Sequence, residues 1–109
     1  MWCMIDENGR RWIGALVGYE VGRLGLTRTR MRKQWSRVSP ATVERVTRGE
    51  AVGDQYLAAI GDLLGMPRGY LQYVGAGDTD RIKGSGADAD LIRWTVDLID
   101  ADSNDTATG

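Results

Sequence analysis

Between Gly25 and Pro67 the chain repeats one device: a glycine, then within a few residues a short polar side chain or a proline, then apolar residues one turn apart. Thr27 follows Gly25, Ser39-Pro40 precedes Val43 and Val46, Asp54 follows Gly49, and Pro67 follows Gly65. Serine, threonine and aspartate side chains accept hydrogen bonds from the free N–H groups of a helix's first turn, and proline suits the first helical position, where no N–H partner is needed. Glycine adopts the left-handed conformation that closes a helix. So dense a series of starts and stops predicts several short helices and leaves no segment that reads as a strand, hence an all-α fold.

The apolar spacing fills in the elements. Ile13, Leu16, Val17, Val21 and Leu24 give one face of a first helix over 10–24. Gly14, Gly18 and Gly22 weaken that helix by about 1 kcal/mol each relative to alanine, which implies that another helix packs closely against them. Thr27 caps a second helix over 28–35, with Met31 and Trp35 inward. Ser39-Pro40 opens a third, closed by Gly49. Asp54 caps a fourth carrying Leu57, Ala58, Ile60, Leu63 and Leu64, and Pro67 opens a fifth with Tyr70, Leu71 and Val74.

With 109 residues, 42% of them hydrophobic, the chain suits a single small core. The body spans 10–74. Residues 75–86, GAGDTDRIKGSG, read as a flexible linker, 87–101 as one further helix and 102–109 as a disordered tail. At 100° per residue, Leu91, Ile92, Trp94, Thr95, Val96, Leu98 and Ile99 cover an arc of about 200°, which calls for a partner surface. A homodimer through Leu91, Trp94, Leu98 and Ile99 is the favoured answer, with packing on the body as the other.

Several functions are excluded by what is missing. Cys3 is the only cysteine and there is no histidine, so neither a thiolate metal cluster nor a histidine-assisted nucleophile can form. No metal, no other cofactor, no small-molecule ligand and no enzymatic activity are expected. No apolar run approaches the roughly 20 residues that cross a bilayer, and the first residues lack a signal peptide's pattern, so a cytoplasmic location without membrane contact is expected. Trp2, Trp12, Trp35 and Trp94 read as packing residues rather than base-stacking platforms.

Charge is the positive signal. Residues 1–74 carry eleven Lys/Arg against seven Asp/Glu, a net of +4, and residues 75–109 carry three against eight, a net of −5. Leu26 to Gly49 alone holds six arginines and Lys33 against one acid, Glu44. Arg28 and Arg30 sit in a helix's first turn, where the macrodipole already places about half a positive charge, so an external anion is the natural compensation. The third helix presents small side chains first, Ala41 and Thr42, and then Arg45 one turn on, a pattern that lets a helix enter the major groove and an arginine reach guanine O6 and N7.

These residues resemble the Cro/C1-type (XRE family) helix-turn-helix domain. The matching positions are Gly25-Leu26-Thr27, Val38-Ser39, Thr42-Val43, Val46, Arg48-Gly49, Leu57, Ile60, Leu63-Leu64-Gly65 and Tyr70-Leu71. The resemblance implies a five-helix, lambda-repressor-like domain, here followed by a C-terminal amphipathic helix. It implies a phage-type repressor that binds specific double-stranded DNA sequences, with Ser39–Thr47 as the recognition helix. Arg28, Thr29 and Arg48 would touch phosphate, and Ala41, Thr42 and Arg45 would face bases. Arg30, Arg32, Lys33, Arg37 and Ser39 complete the expected DNA-binding set. The chain departs from the family pattern at Arg32, at Thr47, and at Ser36-Arg37-Val38, where the turn is one residue longer. An antitoxin-like protein whose acidic C-terminal segment binds a protein partner, and whose helix-turn-helix represses its own operon, is the alternative.

Overall fold

The computed structural model describes residues 5–108, with side chains from 5 to 102. Trp2 and Cys3 lie outside the described residues. Among those residues all regular structure is helical: α1 Glu7–Leu24, α2 Arg28–Gln34, α3 Pro40–Thr47, α4 Asp54–Leu63, α5 Tyr70–Ala76, α6 Thr79–Lys83 and α7 Ala89–Thr108.

The starts follow from local chemistry. Thr27 accepts from the Arg30 N–H at 3.2 Å and Ser39 from the Thr42 N–H at 3.2 Å, so both expected caps are in place. Asp6 caps α1 through the Gly9 N–H at 2.8 Å, three residues ahead of the expected start, because the apolar pattern begins only at Ile13. Asp54 is the first residue of α4 and not its cap, which is Gly53. Pro67 lies in a turn, and the fifth helix begins at Tyr70.

The central element is α1, which packs against α3, α5 and α7. Ile13, Leu16 and Val17 are buried on it, together with Met31, Trp35, Val43, Val46, Leu57, Ile60, Tyr70, Leu71 and Val74 from the helices around it. Two glycines set how closely the neighbours approach. A Cβ on Gly14 would stand 2.7 Å from the Val46 carbonyl oxygen of α3, and one on Gly9 only 2.0 Å from the Gly75 carbonyl of α5. The close packing expected along Gly14, Gly18 and Gly22 therefore holds at Gly14. Gly18 meets only the Thr47 methyl at 3.9 Å, and Gly22 meets nothing within 4 Å.

The region after Val74 differs from its expected form. The stretch 75–86 is not an open linker: Asp78 accepts from the Arg81 N–H at 3.2 Å and caps α6, whose Ile82 is fully buried. Burying one isoleucine contributes roughly 1.5–3 kcal/mol, which together with the contacts of α6 to α5 and α7 offsets part of the cost of ordering a segment that composition alone would leave in water. Helix α7 runs on to Thr108, through most of the segment expected to be disordered.

Helix α7 lies against its own body. Thr95 and Ile99 are buried, and the Tyr70 hydroxyl meets the Thr95 hydroxyl at 2.9 Å. Trp94 stacks on Tyr19 of α1 with ring centroids 4.6 Å apart. Asp102 accepts from Arg11 and, at 2.9 Å, from the Trp12 indole. The wide apolar arc thus finds its partner surface within the chain. Ile99, expected in a dimer interface, is a core residue, while Leu91, Trp94 and Leu98 are half-buried.

Candidate nucleic-acid interface

Helices α2 and α3 pack against each other through a connection, Trp35–Ser39, whose two apolar residues Trp35 and Val38 are both buried. Burial of those two side chains leaves Ser36 and Arg37 exposed at the surface. Arg28, in the first turn of α2, reaches across to Glu44 of α3 in an ion pair. The start of α2 and the middle of α3 are thereby held together.

The expected DNA-binding side chains fall into distinct groups. Arg28, Thr29, Arg30, Arg32, Lys33, Arg37, Ser39, Ala41, Arg45 and Arg48 are exposed, and Thr42 is half-buried. The Ser39 and Thr42 hydroxyls lie 3.0 Å apart, so Thr42 is engaged in the cap of α3 and presents less of its side chain outward than Ala41 does. Arg30 turns back to the Gly25 carbonyl at 3.4 Å. Arg37 points to Asp62 of α4 at 3.5 Å and so is also drawn away from the α2–α3 pair. Arg32 and Lys33 make no ion pair among the described residues.

Sequence reasoning missed the acids that meet these cations. Glu50, one residue past the Gly49 stop, takes Arg45 Nε on Oε1 at 3.3 Å and Arg48 Nε on Oε2 at 2.8 Å. The hydrogen bond from Arg48 holds the Glu50 carboxyl below its ordinary pKa, aided by the charges of both arginines. Counting the seven cations from Arg28 to Arg48 against Glu44, Glu50 and Asp62 leaves a net of +4 on this part of the surface.

Arg10 of α1 was also missed. Its Nε donates to the Gly49 carbonyl at 3.1 Å and one terminal nitrogen to the Ile5 carbonyl at 3.0 Å, tying the end of α3 to the start of α1. An arginine in a helix gives no sequence signal of that kind. Glu50 does have one, because a residue just past a left-handed glycine stop returns beside the residue five before it.

No helix among the described residues is long and apolar enough to cross a membrane. No protein-family model matches the chain, and no curated protein or solved structure matches it either.

Proposed function

We propose that the chain is a sequence-specific double-stranded-DNA-binding transcription regulator of the Cro/C1 helix-turn-helix kind, in which α2 and α3 form the motif and α3 enters the major groove. The observation that carries this reading is the α2–α3 pair itself: two side-chain-capped helix starts, joined by Arg28–Glu44, with seven cations exposed between residues 28 and 48. Capped N-termini and guanidinium groups suit phosphate, and the exposed Ala41 with Arg45 one turn later suits base edges. A repressor that occludes its promoter is the simplest form. A C-terminal helix held on the body by Thr95, Ile99 and Asp102 favours this reading over one in which the acidic segment waits unfolded for a protein partner.

Selection of bound duplexes from a random pool tests the proposal directly. A single preferred sequence is expected, bound with a log–log salt slope of about −4 to −5 for four to six phosphate contacts per subunit. Recovery of no preferred sequence, or an affinity unchanged between low and physiological salt, would refute it. A two-fold dimer would set two copies of α3 on half-sites about 34–36 Å apart, with Leu98 and the outer edges of Leu91 and Trp94 between subunits. Sedimentation at tens of micromolar, with and without the selected duplex, checks that arrangement, and a monomer in both conditions rejects it.

A further inference from the structure

Among the described residues, four helices end in the same closure. A glycine with positive φ donates to the carbonyl three residues back, and the next residue donates to the carbonyl five back. The pairs brought together are Leu26 over Val21, Glu50 over Arg45, Met66 over Gly61 and Asp78 over Tyr73. This closure is ordinarily sealed by an apolar contact between the returning residue and the last turn. Leu26 and Met66 follow that habit: Leu26 packs against the core and Met66 is buried.

At the end of α3 the sealing contact is an ion pair. A carboxylate there is disfavoured on its own account, because the helix C-terminus already carries about half a negative charge. Exposed pairs of this sort contribute little to stability, typically 0–1 kcal/mol. Fold stability therefore gives no reason for glutamate at position 50. The geometry does. The backbone hydrogen bond from Glu50 to the Arg45 carbonyl, 3.0 Å, fixes where the residue sits, and Arg10 fixes the turn from the other side through the Gly49 carbonyl. From that place the carboxylate takes both arginines by Nε, which leaves the two terminal nitrogens of each guanidinium for an external partner.

We propose that Glu50 is a positioning and specificity-determining residue: it holds Arg45 and Arg48 by their inner edges, presents the terminal N–H pair of Arg45 for bidentate contact with a base while Arg48 stays on phosphate, and cancels one of their two charges against random DNA. This rests on the duplex-DNA reading of α3. Bidentate contact to guanine requires a guanidinium of fixed orientation, whereas attraction to phosphate anywhere on a duplex requires only charge. One glutamate placed between the two arginines thus favours the first kind of contact and weakens the second.

The test compares the intact chain with Glu50→Gln and Glu50→Ala, each titrated by fluorescence anisotropy onto the duplex recovered by selection and onto a scrambled duplex of the same composition. Both variants remove the charge, so both should bind the scrambled duplex about three- to tenfold more tightly, with a salt slope steeper by about one. Glutamine keeps an oxygen for Nε and alanine does not. Preference for the selected duplex should therefore fall about tenfold or more in Glu50→Ala and clearly less in Glu50→Gln. Circular dichroism melts establish that each variant is folded, and the exposed position makes the glutamine variant safe in this respect. Equal preference in all three proteins, or an equal loss in glutamine and alanine, overturns the positioning role. If the unaltered chain binds no duplex even at low salt, the DNA reading itself falls, and the role of Glu50 with it.

Discussion

The α2–α3 surface and the α6–α7 segment contrast in where their information lies. At α2 and α3, the starts and stops stand within a residue of their sequence-marked places, and the cations are exposed as expected. Their partners were not foreseen: Glu50 and Asp62 come from outside the basic stretch. In α6–α7 the reverse holds. In 75–86 glycine and charge pointed to solvent, yet Ile82 is buried, and the arc of 87–101, for which a second copy was the favoured cover, buries Thr95 and Ile99 on the body instead. A cap is a contract among four neighbouring residues and can be read from them. Whether one isoleucine in a charged stretch is buried depends on α5 and α7 arriving beside it, which no local window contains.

The sharpest way to break this contrast is Ile82→Ala. Truncating a fully buried isoleucine costs about 2–5 kcal/mol, because the site cannot collapse completely onto the methyl that remains. An open linker at 75–86 would lose nothing. Urea denaturation distinguishes the two, and a midpoint within experimental error of the unaltered chain would return α6 to the status of a tether. Arg32→Ala, on the exposed side of α2, serves as the control and should change stability by less than about 0.5 kcal/mol.

On the basic surface the proposed DNA reading contrasts an expected base contact with an expected phosphate contact. Arg45→Ala should cost about 1–3 kcal/mol on the selected duplex and relax preference at one base pair, whereas Arg28→Ala or Arg48→Ala should weaken all duplexes alike. A repeat selection with Arg45→Ala checks this. An unchanged preferred sequence would remove Arg45 from the recognition surface.

The glycines of α1 sharpen the same point at smaller magnitude, since sequence gave them one explanation and the structure divides them. Gly14→Ala forces a methyl against the Val46 carbonyl of α3, 2.7 Å away, and the neighbouring Thr47 carbonyl at 3.0 Å. Overpacking against backbone costs about 1–3 kcal/mol, partly offset by up to about 1 kcal/mol of helix propensity, so a net loss of about 1–2 kcal/mol is expected. Gly22→Ala meets open space and should stabilise by about 0.5–1 kcal/mol. Opposite signs in thermal melts confirm that α1 is smooth only where α3 crosses it. Because the Gly14 contact is with α3 itself, its alanine variant should also weaken DNA binding, which Gly22→Ala should not.

An effect of similarly small size concerns how α7 is held. Tyr70 of α5 is almost wholly buried, and its hydroxyl meets the Thr95 hydroxyl, which in turn donates to the Leu91 carbonyl at 2.8 Å. Burial raises the phenol's pKa above its ordinary value, the hydrogen bond with Thr95 partly opposes that, and the nearby Glu20 charge adds to it. Raising the folded-state pKa means that the protonated phenol favours the folded chain: the contribution is fully present below about pH 10, the unfolded value, and is lost as pH climbs through the folded one. Of the chain's four tyrosines, one should therefore ionise last in an ultraviolet titration, and stability should begin to decline above about pH 10. Thr95→Val keeps the shape of the side chain and removes its hydroxyl. It should cost about 1 kcal/mol and leave Tyr70 with only the Leu91 carbonyl, 3.5 Å away, so that the last ionisation moves further up. Four tyrosines ionising together in the unaltered chain would mean that α7 does not cover Tyr70, and the C-terminal helix would then be free to meet a second copy.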